Sequence, residues 1–153
     1  MEESVMQNGR KEENTETYNY FKESFGMERV NPESYSPLAL AYIGDSVFDV
    51  MIRTMEVSKV NKQVNKYHRD VSKIVCAPAQ AKMVLAIMDK LTEEEQAVYK
   101  RGRNAKSYMK AKNASTIDYR NATGFEALLG YIYLKEDFKR LTDVVKMALE
   151  VLE

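Results

Sequence analysis

A carboxylate interrupts each of the two most apolar helix-like stretches of this chain. The first reads Ser36-Pro37-Leu38-Ala39-Leu40-Ala41-Tyr42-Ile43-Gly44-Asp45-Ser46-Val47-Phe48, and the second Phe125-Glu126-Ala127-Leu128-Leu129-Gly130-Tyr131-Ile132-Tyr133-Leu134. Both are apolar around most of a helical wheel, a pattern that predicts buried core helices. A carboxylate in such a setting is costly unless it is paired, hydrogen-bonded or bound to a metal. Asp45 and Glu126 are therefore expected to be the centre of a metal-dependent hydrolytic site.

Each acid also has a purely structural explanation. Asp45 would fit a buried ion pair with Arg or Lys. Thr123-Gly124-Phe125-Glu126 matches the S/T-x-x-E capping box, which would put Glu126 in a first helical turn near solvent. The glycines weigh against both. Gly44 precedes Asp45, and Gly130 lies one turn after Glu126. A glycine inside a helix costs about 1 kcal/mol relative to alanine, so it usually marks close backbone approach. Two such helices crossing tightly would bring their acids to a common point.

With 153 residues, 44% apolar and 30% charged, the chain is long enough for one domain with a proper core. It has no Trp, six Gly, three Pro and few β-branched runs, and the class expected is all-α. No apolar stretch approaches the ~20 residues of a membrane span, and the first residues lack the order of a signal peptide. Cys76 is the only cysteine, which excludes an internal disulfide framework and a Cys-rich zinc site. It is expected to be a small buried residue in a reducing cytoplasm.

Net charge is zero but unevenly spread. Residues 1–33 hold eight acids and four bases, so the remainder carries a surplus of four positive charges. Within it, Lys100, Arg101, Arg103, Lys106, Lys110, Lys112 and Arg120 face Asp118 alone. A charge run is most often a solvated face. This one also contains Asn104, Ser107, Tyr108, Asn113 and Tyr119, a mixture suited to phosphate and sugar contacts.

The order expected is a polar acidic extension over residues 1–30 and a helical domain over 31–153. Residues 1–16 have the composition of a disordered lead, and Thr17 to Phe25 an aromatic cluster suited to a short element. Ser36 is a good N-cap with Pro37 at the first helical position, opening a helix to about residue 54. Residues 58–74 and 77–90 form the next pair. Thr92-Glu93-Glu94-Glu95 is a capping box starting a helix toward Arg101. The basic segment then forms a loop of about 15 residues, a length that favours function. Helices near 119–134 and 138–152 complete the chain.

At these residues the chain resembles a known family. Leu38-Ala39-Leu40-Ala41-Tyr42-Ile43-Gly44-Asp45-Ser46-Val47 is similar to the signature helix of the ribonuclease III catalytic domain, and the stretch from Phe125 to Leu134 to its second acidic helix. Ala77-Pro78-Ala79-Gln80-Ala81 and Arg101-Gly102-Arg103-Asn104-Ala105-Lys106-Ser107 resemble the compact bacterial subfamily Mini-ribonuclease III. The match runs in order from about Asn31 to the last residue. It implies a homodimeric, all-helical, Mg²⁺-dependent endoribonuclease that cuts double-stranded RNA to 5'-phosphomonoesters. By association it implies maturation of the 23S ribosomal RNA precursor in a bacterial cytoplasm. Ribonuclease III proper places four carboxylates around its metals, whereas here two of those positions are Ala41 and Thr123. Mini-ribonuclease III is similar in keeping the reduced set. A non-catalytic duplex-RNA-binding dimer with the same fold is the alternative, and a plain helical interaction module a third.

Hydrolysing a phosphodiester requires activated water and neutralised phosphate charge. Magnesium takes one or two carboxylates and keeps several waters, so Asp45 and Glu126 suffice to hold one ion. Asp49, one turn after Asp45, is a candidate for an acid that supports the site without touching the ion. Arg101, Arg103, Asn104 and Lys106 are the candidate RNA contacts, because A-form RNA is read mainly through shape, phosphates and 2'-hydroxyls. His68-Arg69-Asp70 echoes a protein-kinase catalytic loop without the rest of that machinery, and His68 is expected on a helix surface. Met83, Met88, Met109 and Met147 read as core filler, and Tyr42, Tyr131 and Tyr133 as packing residues.

Overall fold

The structure is a computed structural model that describes residues 16–28, 31–106 and 115–153. The chain divides into two units, residues 1–31 and 32–153. In the first unit, residues 16–24 form helix α1. Tyr18, Phe21 and Phe25 lie on one side of it, with ring centroids 6.2 and 5.3 Å apart along the series. The expectation for residues 1–15 lies outside the described residues.

The second unit contains helices and no strand among the described residues. A 3-10 turn, Pro32–Ser34, precedes α2 (Pro37–Lys59), α3 (Val64–Val75), α4 (Ala77–Ile87), a second 3-10 turn (Met88–Lys90), α5 (Glu93–Asn104), α6 (Thr116–Leu134) and α7 (Phe138–Glu150). The central helix is α6, which packs against α2, α4, α5 and α7. Its residues Phe125, Ala127, Leu128 and Leu129 are fully buried. Phe125 meets Phe48 of α2 edge to face, with centroids 5.5 Å apart. No single helix among the described residues is long and apolar enough to cross a membrane, although the bent pair formed by residues 64–75 and 77–90 passes by length and composition together.

Local chemistry sets where these helices start. Ser36 Oγ accepts from Ala39 N at 3.1 Å, with Pro37 opening α2. Thr92 and Glu95 form the expected reciprocal box on α5, at 2.9 and 3.1 Å. Glu95 additionally binds the Arg140 guanidinium through both oxygens, at 2.7 and 2.8 Å, tying α7 to α5.

Several boundaries differ from expectation for one reason. Thr54 and Ser58 donate their hydroxyls to carbonyls four residues back, each at 2.6 Å, so neither ends or caps a helix and α2 continues to Lys59. The α3 helix consequently begins at Val64 rather than near residue 58. Ser115 caps α6 by accepting from Asp118 N at 3.0 Å, three residues earlier than expected. Cys76 is exposed at the joint between α3 and α4, not buried: its Sγ reaches the Lys73 carbonyl where one helix ends and the next begins. Tyr42 is 82% exposed and does not pack in the core, whereas Tyr131 is buried and Tyr133 half-buried. His68 lies exposed on α3, as expected.

Candidate metal centre and basic flank

The two glycines bring α2 and α6 into backbone contact. A Cβ built on Gly44 would lie 1.8 Å from the Glu126 carbonyl oxygen, and one on Gly130 would lie 2.0 Å from that of Leu40. No side chain fits at either point. Asp45 follows Gly44 on α2, and Glu126 supplies the backbone that Gly44 touches. The tight crossing expected from the sequence thus places both acids at one point.

The Glu126 cap explanation does not hold. Thr123 lies inside α6, seven residues after its start, and donates its hydroxyl to the Tyr119 carbonyl at 2.9 Å. Glu126 is therefore mid-helix and half-buried. Asp45 differs from expectation in the other direction, because it lies on an exposed edge of α2 and not in the core. One carboxylate is set inward and its neighbour opens to solvent.

The electrostatics of the pair are unbalanced. Burial and the nearby Asp45 push the Glu126 carboxyl up to about 8, with a hydrogen bond from Gln80 opposing. Burial and Asp49 likewise raise Asp45 above the usual carboxylate range. The two buried acids have cations: Glu56 has Lys59 at 2.8 Å and Lys62 at 3.8 Å, and Glu95 has Arg140. Asp49 has Arg53 at 2.8 Å. Among the described residues neither Asp45 nor Glu126 has an ion pair, so none of them supplies the cation that the structural explanation for Asp45 requires.

Two adjacent carboxylates, one inward and one open, with no cation among the described residues, fit a hard divalent cation that keeps part of its hydration shell. No cluster of three or more His, Cys, Asp or Glu suited to a metal occurs among the described residues. The protein donor set here is two carboxylates, with Ala41 buried and Thr123 turned to its own backbone at the other two positions.

The sign of the pH dependence follows. The folded state favours protonated Glu126, so its contribution to stability is complete below the ordinary value of 4.5 and is lost as pH rises through about 8. In a chelator the melting temperature is expected to fall between about pH 5 and about pH 8.5. Glu126→Gln should flatten that slope, and a divalent ion should reverse it. A chelated parent protein with no slope in this window would contradict the assignment.

The basic segment sits beside the same stretch of α6. Gly102 lies against α6, where a Cβ would come 2.7 Å from Ala127 Cβ and 3.2 Å from the Thr123 carbonyl oxygen. Gly124 in turn lies against the Tyr99 ring, whose buried hydroxyl donates to Asn121 Oδ1 at 2.6 Å. The Arg103 guanidinium lies over the Tyr99 ring, 5.8 Å from its centroid. Arg101, Arg103 and Asn104 therefore belong to the last turns of α5 and not to a loop, while Lys106 lies just beyond. Arg101, Asn104 and Lys106 are exposed and Arg103 is half-buried. Ser107, Tyr108, Met109, Lys110, Lys112 and Asn113 lie outside the described residues.

Sequence reasoning missed three features here. The Tyr99–Asn121 bond and the Gly102–Gly124 approach carry no local pattern. Gln80 did carry one, since it is a lone amide in the apolar run of α4.

Comparison with known proteins accords with this arrangement. Residues 38–137 match the Ribonuclease III domain. A Mini-ribonuclease 3 from Thermoanaerobacter is 48% identical over 120 residues, covering 78% of this chain and 84% of that protein. A Streptococcus pneumoniae Mini-ribonuclease 3 is 41% identical over 118 residues, covering 76% and 92%. A crystal structure of a Fusobacterium nucleatum protein superposes with a TM-score of 0.69 at 25% identity, covering 76% of this chain and 93% of that one.

Proposed function

The chain belongs to the ribonuclease III family, among its Mini-ribonuclease 3 members, and from this we propose an endoribonuclease that cuts double-stranded RNA with Mg²⁺ held by Asp45 and Glu126. The observation that carries the proposal is the pair of carboxylates, without a cation among the described residues, at the glycine crossing of α2 and α6. Magnesium there would supply activated water and neutralise developing charge on the phosphate oxygens. Asp45, open to solvent, faces the side from which a phosphodiester arrives. Glu126, inward and held by the crossing, fixes the depth of the site. Asp49, bound to Arg53, adds negative potential beside Asp45. Arg101, Arg103, Asn104 and Lys106 meet phosphates along the duplex.

The products are 5'-phosphomonoesters, and the substrate is a stem of the 23S ribosomal RNA precursor in a bacterial cytoplasm. The acting form is a homodimer built from residues 31–153. Supporting a second copy, α2 exposes Leu38, Tyr42 and Val50, and an apolar groove of ≈ 440 Å³ lies between α2, α6 and α7, lined by Val47, Met51, Tyr133 and Phe138 among others. Incubating the purified chain with a long RNA duplex, with and without Mg²⁺, tests the function. Ion-dependent internal cleavage is expected. Binding without cleavage would select the non-catalytic duplex binder.

The basic turn is expected to bind and not to perform chemistry. Replacing Arg101, Arg103 and Lys106 together with alanine removes three cations from one short segment. RNA affinity should fall, and the slope of log affinity against log salt should flatten by about one unit for each phosphate left without its cation. Unchanged affinity and slope would assign the segment to structure.

A further inference from the structure

Gln80 lies on α4 among buried apolar neighbours and is itself 1% exposed. A buried primary amide is costly unless each polar atom is met. Its Nε2 donates to the Val75 carbonyl at 2.8 Å, which fixes the orientation of the amide, because only the nitrogen side can face a carbonyl oxygen. Gln80 is also the side chain that draws the Glu126 carboxyl down against burial and Asp45, so it lies beside that acid. Its Oε1 is buried and has no partner among the described residues. Leu or Met would fill a similar space on α4 without leaving an orphaned oxygen. The amide is thus poorly explained by packing, and it lies beside an acid that has no cation among the described residues.

We propose that Gln80 is a positioning residue of the ion site: Nε2 holds one Glu126 oxygen so that the other faces Asp45, and Oε1 accepts from the ion's hydration shell. The inference rests on the reading that Asp45 and Glu126 hold a divalent cation. A hard ion bound by two carboxylates keeps several waters, and their protons need acceptors. At this crossing Ala41 presents none, and Thr123 directs its hydroxyl to the Tyr119 carbonyl.

Mn²⁺ binding to the full chain without RNA, followed by calorimetry and by the ion-induced shift in melting temperature, tests this. Gln80→Met should keep an ion-free melting temperature close to that of the parent and weaken Mn²⁺ at least about tenfold, the lower end of what a supporting hydrogen bond around a metal is worth. Gln80→Glu should melt earlier without ion, through an added carboxylate beside Glu126. It should then show a larger Mn²⁺-induced rise than the parent, because a third carboxylate at the site tightens the ion. Parent-like Mn²⁺ affinity in Gln80→Met, or a Gln80→Glu variant that Mn²⁺ does not rescue, overturns the inference. If Gln80→Met fails to fold, the rescue of Gln80→Glu decides. Asp45→Asn separates the role of Gln80 from the existence of the ion site. Lost Mn²⁺ binding there with parent-like binding in Gln80→Met removes only the role of Gln80. Unchanged Mn²⁺ binding in Asp45→Asn removes the carboxylate site itself.

Discussion

Asp45→Asn is expected to lower duplex-RNA cleavage by on the order of a thousandfold or more, the scale on which charge stabilisation at a reacting centre operates. Size and hydrogen-bonding capacity are kept, while the negative charge that a hard cation requires is removed. RNA binding should survive, because the cations proposed to meet phosphate are on α5 and beyond. Ion-free stability should hold or rise. Asp45 has no cation among the described residues, and its charge acts against both Asp49 and Glu126. The rise in melting temperature expected if Mg²⁺ binds the folded state should shrink in the variant. Cleavage assays and melting curves with and without Mg²⁺ measure all of this. A variant that cuts at the parent rate, or that melts much earlier without ion, would sink the catalytic reading.

Gly44→Ala should be the most damaging glycine-to-alanine change among the described residues. Helix propensity alone would favour alanine by about 1 kcal/mol. The contact decides otherwise. The new Cβ would meet the Glu126 carbonyl oxygen at 1.8 Å, its carbon at 2.7 Å and the Gly130 nitrogen at 2.8 Å. All three are backbone atoms in a central helix, so no side chain can rotate away and α2 must lift off α6. The expected loss is at or above the ~1–3 kcal/mol typical of overpacking, with cleavage abolished as the two acids separate. Chemical denaturation reads the stability. A variant equal to or more stable than the parent would show that the crossing is looser than described.

These two substitutions also divide what was legible in the sequence from what was not. The all-helical class, the caps at Ser36 and Thr92, and the pairing of Gly44 with Gly130 follow from local residue chemistry, and they recur in the fold. Asp45 and Glu126 stood out because a charge in an apolar run has few inexpensive explanations. The features that the sequence left open or misjudged depend on partners distant in the chain. Thr123 has the spacing of a cap, yet its hydroxyl turns to Tyr119 because Ser115 has already started the helix. Cys76 and Tyr42 have the composition of core residues, but an inter-helix joint and an outward face leave them exposed.

The sequence by itself determined the helices, their charge pattern and the two acids that do not belong in a core, because propensity, capping and periodicity act within a few residues. Only the tertiary structure decided that the acids meet with no counter-cation among the described residues, that the basic turn of α5 abuts the α6 stretch carrying Glu126, and that Gln80 lies beside that acid. Each of those facts is a distance between residues tens of positions apart, fixed by how closely α2, α4 and α5 approach α6.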